Sequence, residues 1–312
     1  MFSLFDCHCD TLTTAMSKKA DIYDNSLHIS LKRLTELKKC IQVFAVWLDD
    51  PLIEKGFENT CKAIDFFDKC QEKHRDILYK ATDSESFTQY GEGKIISVLA
   101  VEGGEAIGES LDNIEALYNR GVRIATLTWN RENSLGYGAE TGSTLPLKPF
   151  GIQAVKKMES LGILVDVSHL NEKGFYSLAE ISQKPFIASH SNAYSLCKHC
   201  RNLKDDQLKT MRDLNSMVGI NLYPLFLNEG ESATIEDILR HTDYMGNILG
   251  EDKLCLGCDF DGIDKTPDGI DSVSDLYRLY TAFTRAFGKN VAESIFFENM
   301  YNFMLEHIFN LT

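Results

Sequence analysis

The sequence predicts an α/β fold, a single (β/α)8 TIM-like barrel with a C-terminal helical extension over residues 1–312. Three observations predict it. Eight short apolar runs alternate with helical patterns at barrel-like spacing, polar residues gather just after those runs, and no Pro/Ser-rich linker, low-complexity tract or internal repeat divides the chain.

The first strand is expected at 2–5, followed by Asp6-Cys7-His8-Cys9-Asp10. A short helix at 30–39 leads to a second strand at 41–47, and the amphipathic stretch 57–78 reads as a long helix, with Ile64, Phe67 and Ile77 on its apolar face. Strand three at 94–101 ends in Glu102-Gly103-Gly104, where two glycines leave room for close approach. A helix at 111–119 precedes strand four at 122–127, which ends in Thr128-Trp129-Asn130-Arg131. Residues 136–149, rich in Gly and Pro, form a loop over the strand ends, and 152–161 is helical.

The stretch 161–190 then repeats one design. Ile163-Leu164-Val165-Asp166-Val167 is a buried strand ending in Ser168-His169, and Pro185-Phe186-Ile187-Ala188 is another ending in Ser189-His190. Between them Asn171 caps a helix carrying Phe175, Leu178, Ala179 and Ile181 on one face. A helix at 204–214, strand seven at 217–222, a helix at 234–249 capped by Thr234 with Asp237, and strand eight at 254–257 follow. The last strand ends in Cys258-Asp259-Phe260-Asp261-Gly262, and helices at 274–286 and 290–308 form the extension.

Composition is ordinary for a globular chain, with 44% hydrophobic and 25% charged residues. A net charge of −14 argues against a nucleic-acid or anionic-membrane partner, which would need a basic face. The start lacks a signal-peptide pattern, and no apolar run is long enough to span a bilayer, so a cytoplasmic location is expected. Nine cysteines, an odd number, suggest free thiols. Cys197/Cys200 and Cys255/Cys258 have metal-like spacing, but the second pair lies in an apolar strand, so buried packing is the better reading. A homodimer is compatible with the sequence, which does not fix the oligomeric state.

Parallel barrels keep their chemistry at the carboxyl ends of the strands. His8 and Asp10 follow strand one, Glu102 strand three, His169 strand five, His190 strand six and Asp259 strand eight; random scatter would put as many at the amino ends. Three imidazoles and several carboxylates at one mouth suit one or two divalent ions, zinc first among them. Glu102 can bridge two ions, which favours a dinuclear site.

Six motifs in order, His8-Cys9-Asp10, Val101-Glu102-Gly103-Gly104, Asp166-Val167-Ser168-His169, Ser189-His190-Ser191-Asn192-Ala193-Tyr194, Arg201-Asn202-Leu203 and Asp259-Phe260-Asp261-Gly262, resemble those of the membrane (renal) dipeptidase family. That family comprises zinc peptidases among the amidohydrolase-like metallo-barrels, and the resemblance covers nearly the whole chain. It implies that His8 and Asp10 hold one zinc, that His169 and His190 hold the second, and that Glu102 bridges them. It also implies that Arg201 binds the free carboxylate of a dipeptide, that Asp259 handles the proton of the attacking water, and that a D-residue is tolerated on the carboxyl side. A hydroxide between two cations is available near neutral pH and can attack a polarised peptide carbonyl.

One departure stands out. The family's histidine after strand four is Trp129 here, and indole cannot take a charged or proton-transferring role. Asn130 or a water supplies that contact, or the substrate differs. The leading expectation is therefore a zinc dipeptidase acting on dipeptides with a free C-terminal carboxylate. A metallo-barrel hydrolase of another amide, such as an N-acyl amino acid or a lactam, is the alternative, and a non-catalytic metal-binding barrel is the third.

Overall fold

The computed structural model describes residues 1–89, 91–230 and 232–310. Its parallel strands are β1 (Ser3–Asp6), β2 (Lys39–Trp47), β3 (Leu78–Lys80), β4 (Ile95–Glu102), β5 (Val122–Thr126), β6 (Leu164–Asp166), β7 (Ile187–Ala188), β8 (Met217–Ile220) and β9 (Leu254–Leu256). All but β3 close into a barrel in the order β1-β2-β4-β5-β6-β7-β8-β9, with β9 returning to β1 through Asp6 opposite Leu256. The eight expected strands are these eight, with helices between them and a helical C-terminal extension.

Two local expectations need correction. The expected helix 57–78 runs only from Gly56 to Lys73, and Leu78–Lys80 is a strand. The start of β4 reaches below β5, whose pairing begins at Leu99 opposite Val122, so β3 supplies the missing ladder through Ile95 N–H to the Ile77 carbonyl at 2.7 Å. The expected helix 30–39 is confined to Leu31–Leu34, because Lys39 already pairs with Ser3.

Alternation along the strands sorts the core into two layers. Phe5, Ile41, Val43, Ile96, Val98, Ile124, Leu164, Ile187 and Met217 fill the barrel, several of them at the first position of their strand. At that amino end the barrel is closed by Phe297, Met300, Phe303, Met304 and Phe309 from the last helical segment, with Phe87 stacked 4.2 Å from the Phe309 ring. Leu4, Phe44, Val46, Leu99, Val101 and Val165 face outward onto the helices. The amino mouth is thus sealed by apolar packing, and the carboxyl mouth is left for polar groups.

Several ladders are short for a reason that shapes the site. β6 and β7 share one register pair, and where they part, Asp166 Oδ1 accepts the Ser168 and Ser189 backbone N–H groups, each at 2.9 Å. At the β9–β1 seam Asp6 Oδ1 accepts Cys258 N–H at 2.8 Å and Asp6 Oδ2 accepts the Gln42 amide at 2.9 Å. Buried carboxylates replace backbone pairing as the chain turns outward. The 136–149 loop is strapped over β6, with Ala139 N–H donating to the His169 carbonyl at 2.7 Å and the Asn171 amide to the Ser143 and Leu145 carbonyls. Asn171 also caps its helix through Gly174 N–H. Among the described residues no helix is long and apolar enough to cross a membrane.

Candidate metal centre

His8 and Asp10 follow β1, Glu102 ends β4, His169 follows β6, His190 follows β7 and Asp259 follows β9; the fold brings all six to one place, each no more than 8% exposed. His8 Nε2 stands 3.5 Å from Asp10 Oδ2, 3.4 Å from Glu102 Oε2 and 4.0 Å from Asp259 Oδ1. The other Glu102 oxygen, Oε1, lies 2.8 Å from His169 Nε2 and 3.7 Å from His190 Nε2, and these two nitrogens are 2.9 Å apart. Glu102 therefore turns one oxygen to each of two groups, His8 with Asp10 and His169 with His190.

This spacing fits metal ligation. Nitrogen and oxygen donors held tetrahedrally at about 2.0–2.1 Å from zinc stand about 3.3 Å from one another. The donor pairs here bracket that figure, and three overlapping triads have their donor atoms within 4.8 Å: His8, Asp10 and Glu102; Glu102, His169 and His190; and His8, His190 and Asp259. His8 Nε2 and Asp10 Oδ1 are buried with no hydrogen-bond partner among the described residues. Such orphans are expensive unless something else satisfies them. Glycine provides the room, since a Cβ on Gly262 would overlap Asp10 Oδ2 and come within 2.6 Å of Asp259 Oδ1.

The electrostatics ask for cations at the same point. Burial alone would raise Glu102, yet the His8 ring beside it holds it well below the usual carboxylate range. Burial likewise opposes charge on His8, but Glu102 and Asp10 outweigh it and lift that ring well above its ordinary value. Burial, with Arg201 nearby, drops His169 to about 4, and burial, with His8 and Arg201, drops His190 well below its usual range. Both shifts favour the neutral ring, the form that binds metal. Burial pushes Asp259 up to about 7, with Asp10 and Glu102 adding to the rise and His8 opposing it.

Backbone strain marks the same residues. His169 and Asp259 sit at φ 69° and 61°, left-handed values uncommon for residues with a Cβ, and Asp261 is at 67°. The surroundings hold them there. Asp261 accepts Thr11 Oγ1 at 2.5 Å and His28 N–H at 2.7 Å, and Asn221 donates to Asp259 Oδ2 at 2.9 Å.

Above the cluster lies a cavity of about 450 Å3. Arg201, 4% exposed, lines it, with Nε and Nη2 unpartnered among the described residues. Trp129 and Trp47 form one wall with ring centroids 5.3 Å apart, and Tyr223, Phe226 and Ile263 add apolar surface. A second cavity of about 300 Å3 shares the His169 and Arg201 walls.

The chain matches the family pattern for membrane dipeptidase (Peptidase family M19) over residues 1–306. It belongs to that family. A metallo peptidase from Rhodobacter sphaeroides, solved with a phosphinate mimic of the dipeptide L-Ala-D-Ala, superimposes with a TM-score of 0.91 at 27% identity, covering 98% of this chain and 99% of that one. The dipeptidase AC, a metallo peptidase of family M19, gives a TM-score of 0.91 at 28% identity, covering 99% of both chains. A Klebsiella pneumoniae protein described as an uncharacterized protein in the pqqA 5' region is 39% identical over 202 residues, 60% of this chain and 73% of its own. Membership of this family makes the chain a metallo-hydrolase and the polar mouth its candidate active site.

Against that family background, Trp129 is half-buried beside the cluster, 6.2 Å from the His169 ring, with the Arg131 guanidinium 4.9 Å from its own ring centre. Asn130, expected to reach substrate, lines the larger cavity and sets its Oδ1 2.6 Å from His169 Nδ1. Asn221 and Trp47 carry no motif-level signal, although both stand at the carboxyl end of a strand; Gly262 closes the Asp259-Phe260-Asp261-Gly262 motif, which gives no sign of its steric part in the site. The suspect cysteine pairs form no metal cluster among the described residues. Cys258 and Cys197 are buried, and Cys255 Sγ packs 3.4 Å from Cys7 Sγ. Because Gly262 keeps a methyl out of the carboxylate pair, Gly262→Ala is expected to leave the far-ultraviolet circular dichroism unchanged while weakening metal binding about tenfold or more, as read by a chelator competition titration.

Proposed function

We propose that this chain is a dipeptidase that hydrolyses dipeptides bearing a free C-terminal carboxylate with the help of two divalent ions, zinc by the chemistry of the donors. His8 and Asp10 hold one ion, His169 and His190 the other, and Glu102 serves both. The observation that carries the reading is the placement of Glu102, one oxygen toward each ligand pair, beneath a cavity that Arg201 also lines. When bound, the ions supply charge that polarises the scissile carbonyl and makes water nucleophilic near neutral pH.

The remaining work falls to side chains. Asp259, held through Oδ2 by Asn221, keeps Oδ1 toward His8, so that oxygen takes the proton of the attacking water and returns it to the departing amine. Arg201 presents unpartnered guanidinium nitrogens and pairs with the substrate carboxylate. Trp47, Trp129 and Phe226 keep water from the reacting bond. The phosphinate dipeptide mimic bound to the Rhodobacter sphaeroides relative supports a dipeptide substrate and a D-residue on its carboxyl side.

Three outcomes test this. Metal analysis of the purified chain should find close to two divalent ions, and Glu102→Gln should weaken both; full retention in that variant removes the bridging role. Asp259→Asn should keep its ions yet lose turnover by about a hundredfold or more. A matched panel of dipeptides, their C-terminal amides and N-acyl amino acids completes the set. Arg201→Ala, or amidation of the substrate, should cost about 2 to 5 kcal/mol in kcat/KM, since either leaves a desolvated charge alone. Faster cleavage of N-acyl amino acids than of dipeptides would transfer the assignment to another amide, a choice to which the Trp47–Trp129 wall is open.

A further inference from the structure

The two imidazoles expected to share one ion, His169 and His190, are each gripped from behind by a different device. His190 Nδ1 stands 2.7 Å from Ser189 Oγ, whose hydroxyl donates to Asp166 Oδ2 at 2.6 Å. With that proton committed to the carboxylate, Ser189 Oγ accepts from the imidazole, so His190 carries its hydrogen on Nδ1. Ser168 completes the arrangement, its Oγ 3.2 Å from Ser189 Oγ while accepting the His190 backbone N–H at 3.1 Å. Asp166, Ser168, Ser189 and His190 are all at most 1% exposed, so water does not compete for these bonds. On the other ring, His169 Nδ1–H donates to Asn130 Oδ1 at 2.6 Å. Both Nε2 lone pairs are thereby aimed at the Glu102 side.

We propose that Ser189 with Asp166, and Asn130 separately, are positioning residues that lock His190 and His169 in the Nδ1–H tautomer and so set the affinity of the ion these rings hold. The proposal rests on the metal reading above. It accounts for two sequence features that the reaction itself leaves unused, the aspartate of Asp166-Val167-Ser168-His169 and the serine before His190. It also gives Asn130, which lines the cavity, a ring-orienting role. The relay makes the two ligands unequal. His190 leans, through one hydroxyl, on a carboxylate, which strengthens its donation, whereas His169 leans on a neutral amide.

The test uses the full chain in zinc buffered by a competing chelator, with wild type, Ser189→Ala, Asn130→Ala, Asn130→Asp and Thr126→Val. Thr126 also donates to Asp166 Oδ2, at 2.6 Å, but lies outside the link to His190, so its variant controls for disturbance of the aspartate alone. Ser189→Ala and Asn130→Ala should each weaken one zinc by about tenfold to a hundredfold and leave the other as in wild type. Asn130→Asp, which keeps the acceptor, should recover the loss, and Thr126→Val should bind both ions normally. Side-chain nitrogen NMR of the wild type should show both rings protonated at Nδ1, a readout that a merely structural role would not move and that serves if Ser189→Ala does not fold. Wild type with two zinc ions and variants indistinguishable from it, or rings protonated at Nε2, overturns the positioning role. A wild type that takes up no zinc overturns the metal reading instead.

Discussion

Glu102 is the group on which the rest of the site depends. A carboxylate buried among apolar strands would raise its affinity for a proton or be excluded altogether, yet here the His8 ring holds it well below the usual carboxylate range. That is possible only because two oxygens of one side chain face two separate sets of donors. The long β2–β4 ladder, paired from Cys40 opposite Ile95 to Trp47 opposite Glu102, sets where that carboxylate ends up.

Around this centre the fold repeats one solution at several seams. Where strands separate and backbone ladders stop, a buried polar side chain takes over the freed N–H groups: Asp6 between β9 and β1, Asp166 between β6 and β7, Asn192 with Asn221 after β7 and β8. Asp166 then does more than close a seam, since its second oxygen reaches His190 through Ser189. Close approach adds a steric condition. A Cβ at Gly219 or Gly257 would run into the Ser189 carbonyl oxygen, so the serine whose hydroxyl meets the His190 ring is itself seated on two glycines. The apolar seal at the opposite end, from Phe87 and the last helical segment, leaves the polar mouth as the face open to small molecules.

Much of this was legible along the chain. Eight apolar runs of strand length with helical spacing between them leave few ways to bury their surface other than a closed parallel sheet, and residues placed just after those runs must share one rim. That rule put His8, Asp10, Glu102, His169, His190 and Asp259 at one rim, where the fold brings them together. The misplaced helix end at 74–78 shows its limit. Ile77 continues an apolar helical face as well as it leads into an edge strand, and only the side of the β4 start that β5 does not reach favours the strand.

The sequence by itself determined the barrel, the strand-end position of each candidate ligand and the chemistry of the donor set, because these follow from periodicity and side-chain type. Tertiary structure alone decided which oxygen of Glu102 faces which histidine, that Asn130 turns to His169, that Ser189 links His190 to Asp166, and that Trp129 packs at a tilt against Trp47. Those relations join residues far apart in the chain across distances of a few ångströms. Their geometry depends on strand register, on left-handed backbone at His169 and Asp259, and on the absence of a Cβ at Gly262, none of which has a local periodic signature.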